Sequence, residues 1–74
     1  MQKKILSILN DIRPDVDFLK SKDFFEDELL DSFDVITFVE AVEIQFGIEF
    51  NGEDIIPENF MNLEVIEKII KKYM

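Results

Sequence analysis

The stretch from Asp31 to Gly47 constrains the fold of this chain more than any other part of the sequence. Asp31 is a strong helix N-cap, and Asp34 adds negative charge to the first turn, where the helix dipole favours it. Gly47 suits the left-handed position that ends a helix, and Ile48 follows it with the apolar side chain of a Schellman motif. These signals together predict a helix over residues 32–46.

This predicted helix is apolar on two sides. One set of side chains falls within an arc of about 100° and predicts the core stripe: Val35, Phe38, Val39, Val42 and Phe46. A second set lies on the far side of the helix: Phe33, Ile36 and Ile44, interspersed with Thr37, Glu40 and Glu43. Large apolar residues among acids on an outward face indicate a docking surface. The alternative is that some of them pack beneath the preceding loop.

Two more amphipathic helices are predicted, over residues 3–13 and 63–73. Pro14 stops the first, because the residue before a proline is pushed out of the helical region. Asn62 caps the last, and residues 57–60 predict a single short turn that begins at a proline. No strand pattern is present. The expected fold is therefore all-α, a bundle of three amphipathic helices plus one short helix, forming a single domain over residues 1–74.

The connection over residues 14–31 carries seven acids and two lysines and shows no sustained period. A loop of this length is usually well packed or functional. The residues expected to pin it to the bundle are Val16, Phe18, Leu19, Phe24, Phe25, Leu29 and Leu30. Residues 21–24 are expected to form one helical turn. The EF-hand pattern is missing, so a solvated acidic loop is favoured over a calcium site, and weak divalent-ion binding stays open.

Composition excludes several classes of protein. The chain has no cysteine and no histidine, which excludes a disulfide scaffold and a thiolate zinc site. No nucleophile–base pair can be assigned, so an enzyme is not expected. The net charge of −9 disfavours nucleic acid and anionic membranes as partners. No segment has the ~20 apolar residues of a membrane helix, and a cytoplasmic monomer is expected.

Across essentially its whole length the chain resembles the acyl carrier protein family. The resemblance rests on three stretches: Leu30-Asp31-Ser32-Phe33, Glu43-Ile44-Gln45-Phe46-Gly47-Ile48 and Pro57-Glu58-Asn59-Phe60. Two features depart from fatty-acid carriers. Leu29-Leu30 stands where those carriers have glycine and a small residue, and Phe33 replaces the leucine of their Asp-Ser-Leu motif. The Leu-Leu-Asp-Ser form is similar to D-alanyl carriers and other stand-alone carriers that work beside adenylating ligases.

This resemblance implies that Ser32 carries a 4′-phosphopantetheine arm, transferred from coenzyme A by a magnesium-dependent phosphopantetheinyl transferase that Asp31 helps to recognise. The arm would hold an acyl or aminoacyl group as a thioester between an activating ligase and a downstream transferase or synthase. Partners are expected to dock through the following side chains: Phe33, Ile36, Glu40, Glu43 and Ile44. The alternative is an unmodified acidic interaction module in which Ser32 is only a residue at a helix start.

A small, polar cargo is expected over a long fatty chain. By the same resemblance, fatty-acid carriers shelter the chain in a cleft beside the second helix. Phe38 and Phe46 lie on the inner stripe of that helix, and Ile56 and Phe60 come from the segment that would form the wall of such a cleft. Forcing extra methylenes into a well-packed core typically costs ~1–3 kcal/mol. Aromatic filling therefore argues against a cavity.

Overall fold

The computed structural model describes all 74 residues, and every regular element in it is helical. The three α-helices are α1 (Gln2–Ile12), α2 (Ser32–Phe46) and α3 (Leu63–Lys72). Three single-turn 3₁₀ helices lie between them, at Phe18–Lys20, Gly52–Asp54 and Pro57–Asn59. The predicted all-α bundle with three main helices and a short turn beginning at Pro57 is confirmed. None of the helices is both long and apolar enough to cross a bilayer.

The ends of α2 coincide with the predicted bounds, and the predicted caps explain them. Asp31 and Asp34 form a reciprocal capping box, in which each carboxylate accepts the backbone N–H of the other residue. At the other end Gly47 has a φ of 66°, and the N–H groups of Gly47 and Ile48 both donate to the Glu43 carbonyl, at 3.0 and 3.2 Å. Only a residue without a β-carbon adopts this backbone conformation readily.

One apolar core joins the three helices to the loops. Its 15 buried residues are Ile5, Ile8, Leu9, Phe18, Phe24, Leu30, Val35, Phe38, Val39, Val42, Phe50, Phe60, Ile66, Ile69 and Ile70. Phe60 makes edge-to-face contacts with Phe38 and Phe50, with ring centroids 6.1 and 6.0 Å apart. Phe46, predicted to lie in the core stripe, is only half-buried, and the Lys4 ammonium lies 4.7 Å from its ring centroid.

Two predictions about the loop between α1 and α2 are wrong. The helical turn lies at Phe18–Lys20 instead of residues 21–24, because the Asp17 carboxylate caps it by accepting the Leu19 N–H at 3.1 Å. Leu19 was expected to pin the loop but is 69% exposed. Consecutive residues of a tight turn point in different directions. Phe18 takes the inward position, with its ring centroid 5.0 Å from that of Phe24.

The connection between α2 and α3 is tied to the end of α3 by polar contacts. The Tyr73 hydroxyl donates to the Asp54 carboxylate and accepts the Asn51 N–H at 3.1 Å. The Lys72 ammonium lies 3.0 Å from the same Asp54 carboxylate. The hydrogen bonds from Tyr73 and, next in strength, from Lys72 hold the pKa of Asp54 below its ordinary value. Asp54 in turn raises the pKa of Lys72.

Candidate functional site

Ser32 is the first residue of α2 and is exposed to solvent. The backbone of Asp31 is extended, so the chain turns into the helix at this junction. The Asp31 carboxylate accepts the Asp34 N–H at 2.9 Å, and the Asp34 carboxylate accepts the Asp31 N–H at 3.2 Å. The helix geometry leaves the N–H groups of Ser32 and Phe33 without intrahelical acceptors. An accessible hydroxyl therefore stands beside free N–H donors at the positive end of a 15-residue helix.

Asp34 is the only buried charged residue, at 8% exposure. Its partner is Arg13, the only arginine in the chain, whose Nη1 lies 3.0 Å from Asp34 Oδ2. Arg13 follows the last residue of α1 and caps its C-terminal end, where its backbone N–H donates to the Leu9 carbonyl. Arg13 is not among the predicted site residues. The only feature of the sequence that distinguishes Arg13 is that it is the one arginine in a chain whose other basic residues are seven lysines.

An apolar groove of about 200 Å³ adjoins Ser32. Its other lining residues are Phe25, Val35, Ile36, Ile55 and Pro57. The groove thus runs from the start of α2 to the segment before α3. Ile56, predicted to form the wall of a cleft here, is instead exposed, and Ile55 takes the inward position. Phe25, Ile55 and Pro57 were not predicted as site residues, because only the folding of both loops brings them to Ser32.

The predicted outward face of α2 is present, and its apolar residues do not pack beneath the loop. Phe33, Ile36 and Ile44 are 75%, 56% and 82% exposed. Together with exposed Glu40 they follow one another at three- and four-residue spacing, which places them in one line along the helix. We call Phe33, Ile36, Glu40 and Ile44 the outward stripe.

Glu43, predicted to belong to this face as a free acid, has another role. It is half-buried, and its Oε2 accepts the Phe50 N–H at 2.9 Å. The carboxylate therefore fixes the segment that follows α2. The helix Ser32–Phe46 contains no basic residue, so the outward stripe keeps its negative charge without Glu43. No three acids are grouped so as to hold a metal ion.

No family model matches this chain, and the comparisons with curated proteins and with solved structures gave no match either.

Proposed function

We propose that this protein is an acyl carrier protein that holds its cargo on a 4′-phosphopantetheine arm attached to Ser32. The observation that carries the proposal is the exposed Ser32 hydroxyl at the start of α2, directly after the Asp31 cap. A phosphodiester formed there would lie against the free N–H groups of the first helical turn, which favour a negative charge. The apolar groove beside Ser32 offers the arm a surface to rest on.

The chain supplies the acceptor hydroxyl, and a separate transferase supplies the catalysis. Ser32 Oγ would attack the phosphorus atom of coenzyme A that bears the pantetheine group. The new Oγ–P bond replaces the bond to the leaving 3′,5′-ADP, and the hydroxyl proton passes to a base on the transferase. Once attached, the arm supplies the thiol that this cysteine-free chain lacks, and that thiol carries acyl groups as thioesters.

The modification is tested by intact-mass measurement after incubation with coenzyme A and a phosphopantetheinyl transferase. We expect one phosphopantetheine addition on the native chain and none on Ser32→Ala. Ser7→Ala is the matched control, because Ser7 lies within α1, and this variant should be modified normally. A mass gain that persists in Ser32→Ala would refute the assignment. No gain on the native chain would favour the alternative, an unmodified interaction module.

The outward stripe fits a partner enzyme with a basic docking face. Its apolar side chains would supply contact area, and the negative charge of Glu40 would steer association and make it salt-sensitive. The partners proposed to use it are the phosphopantetheinyl transferase, an acyl- or aminoacyl-activating ligase, and the downstream transferase or synthase. Asp31, one residue before Ser32, would contribute to recognition by the transferase in addition to capping α2.

Glu40→Lys tests this surface without disturbing the fold, because Glu40 is exposed and bonds no other residue across the bundle. Glu43→Lys is not suitable for this test, because it also breaks the hydrogen bond from the Phe50 N–H and so disturbs the fold. We expect Glu40→Lys to raise the KM of the phosphopantetheinyl transferase for this chain while the helical circular-dichroism signal stays unchanged. Glu64→Lys makes the same charge change on α3 and serves as the control. Equal KM values for the two variants would place the docking surface elsewhere.

We further propose that the cargo is small and polar, such as an aminoacyl group. Phe60 fills the interior between Phe38 and Phe50. The groove beside Ser32 has a volume of only about 200 Å³, less than the ~300–1,000 Å³ of a typical ligand pocket. A long chain would have to displace packed aromatic rings, at a cost of ~1–3 kcal/mol. We expect hydroxylamine to cleave the thioester of a long fatty acyl chain as fast as it cleaves the thioester of a short aminoacyl group. Protection and a raised melting temperature with the long chain alone would contradict this.

A further inference from the structure

Arg13 connects the end of α1 to the start of α2 across 21 residues of sequence. Its guanidinium contacts Asp34 Oδ2 at 3.0 Å, and its own side chain is about one-third exposed. A buried carboxylate requires a partner for its charge, and Arg13 provides it. The contact therefore joins the C-terminal end of α1 to the first turn of α2.

The oxygen that Arg13 contacts is also part of the cap that precedes Ser32. Asp34 Oδ2 accepts the Asp31 N–H at 3.2 Å as well as the guanidinium N–H. Asp31 Oδ1 accepts the Asp34 N–H at 2.9 Å in return. The position of Arg13 is thus transmitted through one carboxylate to the backbone of Asp31, the residue bonded directly to Ser32.

We infer that Arg13 is a positioning residue for the modification of Ser32. By holding Asp34, it fixes the backbone on the N-terminal side of Ser32 and the direction in which the hydroxyl leaves the helix. Group transfer is sensitive to such geometry, because a displacement of about 1 Å at the reacting atoms can lower the rate ~100-fold. This inference rests on the proposed function. It differs from a merely structural role, in which Arg13 would only raise the stability of the bundle.

Transferase kinetics with Arg13→Met test the inference, since methionine keeps most of the aliphatic length and lacks the guanidinium. The measurement is made well below the melting temperature of every variant. We expect kcat to fall about tenfold while KM changes less than about twofold, because the outward stripe is untouched. Arg13→Lys, which keeps the charge, should restore part of kcat. Lys20→Met removes a positive charge from an exposed position and should match the native chain.

A double-mutant cycle with Asp34→Asn checks that Arg13 acts through Asp34. If both side chains act through the one contact, the combined variant should lose about as much kcat as the worse single variant. Losses that multiply would overturn the inference, because Arg13 would then act by another route.

Amide hydrogen exchange provides a readout that needs no transferase. In Arg13→Met the N–H groups of Asp31 and Asp34 should exchange about tenfold faster, while those in the middle of α2 and α3 stay unchanged. A uniform acceleration across all helices would overturn the inference in favour of a purely structural role. If Arg13→Met and the native chain have equal kcat values, the inference about Arg13 is overturned and the proposed function stands. If the transferase does not modify the native chain at all, the proposed function and the inference are both refuted.

Discussion

Glu28 occupies a backbone conformation that should cost this domain measurable stability. Its φ of 60° is the only positive value at a residue other than glycine. The conformation is imposed by the turn before Ser32, in which the Phe24 carbonyl accepts the N–H groups of both Leu29 and Leu30, at 2.7 and 3.1 Å. For a residue with a β-carbon this left-handed region costs ~1–2 kcal/mol.

Replacing Glu28 by glycine removes that strain. Glycine also increases the conformational entropy of the unfolded chain, which offsets ~0.4–1 kcal/mol of the gain. We therefore expect Glu28→Gly to raise the free energy of unfolding by ~0.5–1 kcal/mol. For a domain of this size each kcal/mol shifts the melting temperature by about 4–8 °C, so the expected rise is ~2–8 °C.

The same substitution also removes one negative charge from a chain of net charge −9, and that change alone can stabilise it. Glu28→Gln is the matched control, because it removes the charge and keeps the β-carbon. Thermal melts and urea titrations of the native chain, Glu28→Gly and Glu28→Gln separate the two effects. A melting temperature of Glu28→Gly no higher than that of Glu28→Gln would refute the backbone argument.

Three further predictions concern stability. Gly47→Ala should destabilise the fold by ~0.5–1 kcal/mol, because the φ of 66° disfavours a β-carbon by ~1–2 kcal/mol although no atom obstructs it, and the lower entropy of the unfolded chain offsets ~0.4–1 kcal/mol of that cost. Gly52→Ala, equally unobstructed and without a positive φ, should not destabilise the fold, and equal urea midpoints of the two variants would contradict this. Tyr73→Phe should lower the melting temperature at neutral pH, because it removes a hydrogen bond to the Asp54 carboxylate. The pKa of Asp54 is lower in the folded chain than its ordinary value of 3.8, so this stabilisation is present above pH 3.8 and is lost as acid protonates Asp54 in the folded state. The difference in melting temperature from the native chain should therefore narrow below pH 3.8. A pH-independent difference would rule out Asp54 as the cause. Raising sodium chloride to ~0.2 M, or adding magnesium at millimolar concentration, should raise the melting temperature, because the added ions screen the repulsion in a chain with 17 acidic and eight basic residues. An unchanged melting temperature would contradict this.

Local chemistry in the sequence determined the α-helices and their ends. Asp31 and Gly47 set the bounds of α2, and Asn62 caps α3 by accepting the Val65 N–H at 2.9 Å. Caps and helical periodicity involve residues no more than a few positions apart, so they can be recognised without knowing the tertiary structure. For the same reason the exposed position of Ser32 and the outward direction of Phe33, Ile36 and Ile44 were predictable.

Only the tertiary structure decided which side chains surround Ser32. The Arg13–Asp34 pair spans 21 residues, Glu43 turns from the outward face to the Phe50 N–H, and Ile55 takes the inward position expected of Ile56. Each of these contacts depends on the path of an irregular connection, where no periodicity fixes the direction of a side chain. The helix pattern predicts that Ser32 lies at the start of α2. The apolar groove beside Ser32 and the Arg13–Asp34 ion pair form only when the two loops fold against α2.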